Sequence, residues 1–197
     1  DALVFASIGP TGEFMQPLGL VTEKEMVEVF AEQVAAMVGG GTDGILVETM
    51  TDLGEAKAAL QAAKDHFDGP VVVSMTFDKG PKGYATMMGV TPERAAEELT
   101  EAGADIVGSN CGHGIENMIE VIRLMAGATD LPLWAKPNAG MPQLVDGETV
   151  FTQTPEETAA HFEALVSAGA RIIGGCCGTT PEHIRALVQA RDRMIGD

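Results

Sequence analysis

The chain has few cysteines, few basic residues and no long apolar run, and each shortage excludes a class of protein. Its three cysteines, two of them adjacent, do not make a disulfide framework. A bridge between the adjacent pair would be strained, because a normal disulfide joins Cα atoms about 4.4–6.8 Å apart. Free thiols favour a reducing cytoplasm. Twelve Lys and Arg against 29 Asp and Glu, a net charge of −17, argue against nucleic acid and anionic membrane surfaces as partners. No apolar run approaches the roughly 20 residues of a membrane span.

What the chain does have is a regular alternation of short apolar runs and helical patterns. With 197 residues, 45% of them apolar, it is expected to be one domain, residues 1–197. The strand candidates are continuous apolar runs, as in a parallel sheet buried on both faces: Leu3–Ser7, Gly44–Val47, Val71–Met75, Asp105–Gly108, Leu133–Ala135 and Arg171–Gly174. The helix candidates are Glu23–Val38, Leu53–Phe67, Pro92–Ala102, Ile115–Ala126, Pro155–Ala168 and Pro181–Met194. Three of these helices begin with Thr-Pro-Glu, which places a capping residue, a proline and an acid in their favoured positions.

Six β-α units predict an α/β fold with a parallel sheet. The glycine-rich and polar segments all follow strands and never precede them, which favours a (β/α)8 TIM barrel. A doubly wound open sheet would also carry its site at the strand ends, but usually at one switch point. Six units are two short of eight, and the chain opens at Asp1, almost directly in a strand. We therefore expect an N-terminally truncated barrel that lacks its first two β-α units.

The three cysteines occur at equivalent places in two similar stretches. Residues 101–111, Glu-Ala-Gly-Ala-Asp-Ile-Val-Gly-Ser-Asn-Cys, align with residues 167–177, Ser-Ala-Gly-Ala-Arg-Ile-Ile-Gly-Gly-Cys-Cys. Two equivalent helix–strand units thus deliver Cys111, Cys176 and Cys177 to equivalent places at their strand ends. Three thiolates leave one position open on a tetrahedral Zn²⁺, which is the arrangement of a catalytic zinc site. The alternative is that the cysteines act as small buried hydrophobic residues.

These motifs resemble the homocysteine S-methyltransferase family, and in particular the homocysteine-binding module of cobalamin-dependent methionine synthases. The resemblance rests on Gly-Ser-Asn-Cys (108–111) and Gly-Gly-Cys-Cys-Gly-Thr-Thr-Pro-Glu-His-Ile (174–184). Ile-Gly-Pro-Thr-Gly (8–12), Val-Glu-Thr-Met (47–50) and Lys-Pro-Asn-Ala-Gly (136–140) also fit in order.

The resemblance implies a zinc-dependent thiol S-methyltransferase that converts homocysteine to methionine, with a zinc-bound thiolate as the nucleophile. It implies no catalytic residue beyond the zinc site, and a methyl donor such as methylcobalamin carried on a corrinoid protein or on another part of a longer chain. The family also has two further β-α units upstream, the first of which carries an Asp-Gly motif that helps to hold homocysteine. No residue here matches that motif.

Four further residues at predicted strand ends are candidates for substrate binding. By resemblance, Glu48 contacts the amino group of homocysteine; the alternative is that it caps the helix from Leu53. Asn110 and Asn138 could orient substrate or ligands, or serve only in turns, to which Asn is suited. Ser7 resembles a residue of a site loop in the family. Among the histidines, His183 is expected to be exposed.

Two other functions remain open from the residues alone. Lys136 ends a predicted strand and could form a Schiff base with a carbonyl substrate, as in a barrel aldolase or lyase. Alternatively, it could make an ion pair or be a solvated amine. The cysteines could instead form a non-catalytic zinc or redox module. Borohydride trapping would support the first of these, and metal binding without methyl transfer the second. The acceptor could also be a small thiol other than homocysteine.

Overall fold

The computed structural model describes residues 2–196 and contains one six-stranded parallel sheet with helices on its outer face. The strands are Phe5–Ile8 (β1), Gly44–Met50 (β2), Val71–Met75 (β3), Asp78–Gly80 (β4), Gly83–Ala85 (β5), Ile106–Cys111 (β6), Leu133–Pro137 (β7), Gln143–Val145 (β8), Glu148–Val150 (β9) and Ala170–Ile173 (β10). The helices are Glu23–Gly39 (α1), Leu53–His66 (α2), Pro92–Glu101 (α3), Ile115–Ala126 (α4), Pro155–Ala160 (α5), Phe162–Ala168 (α6) and Pro181–Ile195 (α7).

The main sheet has the order β1-β2-β3-β6-β7-β10, and every neighbouring pair in it is parallel. Sequential strands connected through helices give this order, so the predicted six β-α units and the α/β fold are confirmed. Within residues 2–196, β1 and β10 each pair on one side only, so the sheet is an open arc. That two further units precede the first strand stays a prediction.

The core lies between the outer face of the arc and the helices. Ile45, Val47 and Val73 point outward from their strands and are fully buried among side chains of α1 and α2, including Phe30 and Leu60. Burying apolar area on this side stabilises the fold by about 25 cal/mol per Å². The inner, concave face of the arc is left for the strand-end residues that form the site.

A single tryptophan contributes to the concave face. Trp134 of β7 packs over Gly108 of β6, where a Cβ atom would lie 2.0 Å from the Trp134 carbonyl oxygen. Its ring lies 5.9 Å from that of Phe5 on β1, centroid to centroid, and its indole N–H is buried without an acceptor among the described residues. Because β1 and β7 are four strands apart in the sheet order, this contact shows how strongly the arc is curved.

The structure differs from the sequence prediction in two loops and one helix. The loops after β3 and β7 contain small antiparallel hairpins, β4–β5 and β8–β9, which we had not predicted. The predicted helix Pro155–Ala168 divides at His161, whose amide donates a hydrogen bond to the Thr158 carbonyl three residues back rather than four.

No helix among residues 2–196 combines the length and apolar character needed to cross a membrane.

His183 is buried, so the expectation that it is exposed is wrong. Its Nδ1 accepts a hydrogen bond from the Thr180 amide at 3.1 Å, and its Nε2 lies 2.9 Å from the Gln153 carbonyl oxygen. An imidazole that donates from Nε2 satisfies both contacts while neutral. The ring therefore fastens the start of α7 to the segment after β9.

Candidate functional site

The three cysteine sulfurs meet at the carboxyl ends of β6 and β10. Their Sγ atoms all lie within 4.8 Å of one another, and the Sγ atoms of Cys111 and Cys176 are 3.0 Å apart. Cys111 ends β6 with φ of 60° and Gly112 follows with φ of 70°, both in the left-handed region. A cysteine in this conformation is uncommon, and such backbone strain is concentrated at functional sites.

The cluster fits a zinc ion by donor type and by spacing. Thiolates bind Zn²⁺ at about 2.3 Å, so three of them on a tetrahedral ion lie about 3.8 Å apart. The Cys111–Cys176 separation is 3.0 Å and no pair is more than 4.8 Å apart, so the observed limits lie on either side of that value. The cluster is only half-buried and Cys177 is exposed, which leaves access for a further ligand.

The sulfurs do not share one ionisation behaviour. The hydrogen bond from the Cys111 thiol lowers the pKa of Cys176 to about 5, and the Asn110 amide adds to this effect although burial opposes it. Donating that hydrogen bond raises the pKa of Cys111, and burial raises it further. Burial, followed by the nearby charge of Cys176, raises the pKa of Cys177. Without a metal ion the cluster therefore favours one thiolate, and a cation is needed to ionise all three.

Asn138, which follows β7, joins the two cysteine loops. Its Nδ2 donates to the Gly112 carbonyl oxygen at 2.9 Å, and its Oδ1 accepts from the Cys177 amide at 3.0 Å. The Cys176 amide donates to the Pro137 carbonyl oxygen at 2.9 Å. The strand between the two cysteine-bearing units thus fixes their relative position through both backbone and side chain.

Glu48 lies on the concave face near the end of β2 and is held by two other strands. One carboxylate oxygen accepts from the Ser7 hydroxyl at 2.7 Å, and the other lies 2.9 Å from the Lys136 ammonium. Helix α2 is capped by Asp52, so the alternative that Glu48 caps this helix is wrong. The side chains of Glu48 and Lys136 are 16% and 20% exposed, and the ion-pair interpretation of Lys136 is confirmed.

Asn110 is completely buried next to the cluster, and its amide makes four contacts. Its Oδ1 accepts from the Thr49 amide at 2.9 Å and from the Ser74 hydroxyl at 2.7 Å. Its Nδ2 donates to the Thr49 hydroxyl at 2.8 Å and toward the Cys176 sulfur at 3.8 Å. These contacts occupy the two donors and both lone pairs of an Asn amide.

The family model described as homocysteine S-methyltransferase matches residues 1–191. This chain belongs to that family.

Relatives of known identity agree with this membership. Over 193 residues the chain is 31% identical to the methionine synthase of Mycobacterium leprae, a match that covers 95% of this chain but 16% of that protein. The homocysteine methyltransferase MmuM from Escherichia coli has a similar fold: in its apo form the TM-score is 0.75 at 25% identity, covering 95% of this chain and 62% of MmuM. The metallated form of MmuM gives a TM-score of 0.73 at 26% identity, covering 96% of this chain and 61% of MmuM. The chain therefore spans less than two thirds of these relatives.

The site contains two residues that the sequence analysis missed. Thr49 and Ser74 both hydrogen-bond to Asn110, and neither was a candidate. Ser74 had a detectable signal, because it is the one polar residue in the apolar run Val71–Met75 and sits at an inward position of the alternating strand. Thr49 had none, because its importance depends on a backbone conformation.

Proposed function

We propose that this chain binds homocysteine as the acceptor in a methyl transfer that forms methionine. The observation that carries the proposal is the convergence of three cysteine sulfurs within 4.8 Å, in a chain of the homocysteine S-methyltransferase family. Glu48 lies at the same end of the sheet, so the thiol of one small substrate could bind at the cysteine cluster while its amino group binds Glu48. Free, metal-ready thiols suit a reducing compartment, and we place this reaction in the cytoplasm.

Cys111, Cys176 and Cys177 would hold Zn²⁺. When bound, the ion supplies positive charge that lets a coordinating thiol lose its proton at neutral pH. The chain's own residues provide the geometry: Asn138 fixes the two cysteine loops against each other, and Glu48 would accept hydrogen bonds from the substrate ammonium. An ionised carboxylate offers about four lone-pair positions. Ser7 and Lys136 use two of them, so Glu48 keeps capacity for a substrate while they hold it in place.

The methyl donor is proposed to be methylcobalamin carried by another domain or protein. This chain spans 16% of the methionine synthase it matches, so a donor module on a longer chain or on a partner is compatible with the similarity.

Metal content and homocysteine binding test the proposal together. Wild-type protein should hold about one zinc per chain, and Cys111→Ser, Cys176→Ser and Cys177→Ser should each lower zinc content and homocysteine affinity. His113→Asn, in the same loop but outside the cluster, is the matched control and should retain both. Full zinc retention in any one of the cysteine variants would contradict a three-cysteine site.

The same measurements, together with borohydride trapping, separate the two other functions. A redox or metal-sensing module would bind zinc or oxidise reversibly but would not bind homocysteine. An aldolase or lyase would give a borohydride-trapped adduct at Lys136 with a carbonyl substrate. The ion pair with Glu48 gives no support to the latter, since a Schiff base requires a free amine.

A further inference from the structure

Thr49 adopts a backbone conformation that its side chain disfavours. Its φ is 65°, in the left-handed region that β-branched residues rarely enter. The pairing of β2 with β3 shifts register between Val47 and Met50, around this residue. The strain therefore lies next to Glu48, the residue proposed to bind the substrate ammonium.

Asn110 is the residue that supports this conformation. It accepts from the Thr49 amide and donates to the Thr49 hydroxyl, so one amide side chain binds two polar groups of the strained residue. Ser74 of the intervening strand β3 donates to the same Asn110 oxygen and keeps the amide oriented. Strained residues persist only where their surroundings hold them in this way.

The same amide also reaches the sulfur cluster. Asn110 directly precedes Cys111, and its Nδ2 lies 3.8 Å from the Cys176 sulfur. A single buried side chain thus connects the strand end that carries Glu48 with two of the three cysteines. Because its four contacts are all to protein atoms, it has no group left for a substrate.

We propose that Asn110 is a positioning residue that fixes Glu48 relative to the cysteine cluster and thereby sets the length of amino thiol that the site accepts. Homocysteine carries its thiol one methylene farther from the amino group than cysteine does. A fixed distance between the Glu48 carboxylate and the cysteine cluster would distinguish homocysteine from cysteine. This inference rests on the proposed function, since it assumes that Glu48 and the cluster bind the two ends of one substrate.

The first test measures unfolding of metal-free protein and needs no substrate. In urea, the change in the free energy of unfolding caused by Thr49→Gly should be more stabilising in the Asn110→Leu background than in wild type. Glycine relieves a backbone strain that Asn110 no longer supports in that background. We expect at least about a fivefold non-additivity in the unfolding equilibrium constant. If Asn110→Leu does not fold, Asn110→Ser replaces it in the same cycle.

The control for this cycle is Asp146→Gly. Asp146 also has a positive φ, 51°, but lies in the turn of the β8–β9 hairpin and has no hydrogen bond with Asn110. Its effect should add to that of the Asn110 variant. Additive effects of Thr49→Gly and the Asn110 variants would overturn the supporting role.

The second test compares three thiols on the zinc-loaded 197-residue chain. Asn110→Ser should weaken homocysteine by about tenfold, equivalent to ~1.4 kcal/mol, and reduce its preference over cysteine. It should change 4-mercaptobutanoate, which lacks the amino group, by less than about threefold, and leave zinc content near one per chain. Equal weakening of all three thiols, or no weakening of any, would overturn the proposal. If wild-type protein binds none of the thiols, the proposed function and the length-setting role both fall, while the metal-free cycle still reports whether Asn110 supports Thr49.

Discussion

At the scale of single residues, Cys176 differs from the two other thiols in its ionisation. The hydrogen bond from Cys111 lowers the pKa of Cys176 to about 5, whereas the pKa values of Cys111 and Cys177 are raised. Above about pH 5, Cys176 is therefore the thiolate of the metal-free site. The thiolate is the nucleophilic form of a cysteine.

This asymmetry predicts a selective alkylation. In reduced, metal-free protein at pH 7, a small reagent such as iodoacetamide should modify Cys176 first, although Cys177 is more exposed. The rate at Cys176 should rise with pH through about 5 and then level off. Tandem mass spectrometry measures the order of labelling, because fragment ions separate Cys176 from Cys177 within their shared tryptic peptide. In denaturant the three cysteines should react alike. Faster labelling of Cys177 in the folded protein would contradict the assignment.

Glu48 gives a second prediction at this scale. Glu48→Gln keeps the size of the side chain but removes its charge, so homocysteine should bind about 10–100-fold more weakly, as expected for one hydrogen bond to a charged group. 4-Mercaptobutanoate should be nearly unaffected because it has no ammonium. Titration calorimetry on zinc-loaded protein measures both, with the exposed Glu101→Gln as control. Equal weakening of the two thiols would remove Glu48 from the role of amine reader.

At the scale of elements, the loop after β1 is anchored to α2 by a buried carboxylate. Glu55 is 4% exposed, and one of its oxygens accepts from both the amide and the hydroxyl of Thr11 at 2.7 Å. Two bonds to a charged acceptor are stronger than two neutral ones. The anchor fixes the chain just beyond Ser7, which contacts Glu48.

Glu55→Gln should therefore destabilise the protein by about 1.5–3 kcal/mol, the typical value of hydrogen bonds to a charged group. Urea unfolding measures this loss. Glu97→Gln, on the exposed face of α3, is the matched control and should stay within about 0.5 kcal/mol of wild type. An unchanged urea midpoint for Glu55→Gln would show that the loop is held by other contacts.

The elements also show how far the sequence could predict the structure. Thr91 and Thr154 cap α3 and α5 as their Thr-Pro-Glu motifs predict, because capping depends on residues close in sequence. The β8–β9 hairpin was missed although its Asp146-Gly147 turn is a hairpin signal, because each of its strands is only three residues long. The burial of His183 could not be predicted, since it depends on Gln153, 30 residues earlier.

In the site, the convergence of the cysteines followed from their repeated motifs and from parallel strands ending at one edge. The linking roles of Asn110 and Asn138 did not follow, because each joins segments that are distant in sequence. Asn110 contacts a residue 61 positions away and Asn138 one 39 positions away. Which partner an Asn amide finds is decided by the packing of whole strands.

At the scale of the whole molecule, the two edges of the sheet carry apolar surface. Next to β1, Leu3 and Val4 are 73% and 63% exposed. Beside β10 lies a groove of about 470 Å³ between the strand and helices α6 and α7, lined mainly by apolar side chains such as Phe162, Ile184 and Leu187. Unpaired strand edges and exposed apolar surface favour association with further chain.

We therefore predict that adding two β-α units upstream of the first strand raises the melting temperature. They would pair with both edges and cover the groove, and burial of apolar area stabilises a fold. Calorimetry of the 197-residue chain and of the extended chain measures the shift, and analytical ultracentrifugation should show less self-association after the extension. An unrelated domain of equal length at the same end is the control. A monomeric 197-residue chain whose melting temperature the extension leaves unchanged would contradict this prediction.

Trp134 contacts Phe5 across the arc, so its fluorescence depends on how the sheet is curved. Trp134 is the only tryptophan in the chain, so all indole fluorescence comes from one position on the concave face. That position is two residues before Lys136, which pairs with Glu48, and its ring touches the first strand of the sheet. The chain thus carries an intrinsic spectroscopic probe, and its emission can follow in real time whether β1 and β7 move relative to each other when a metal ion or a thiol binds.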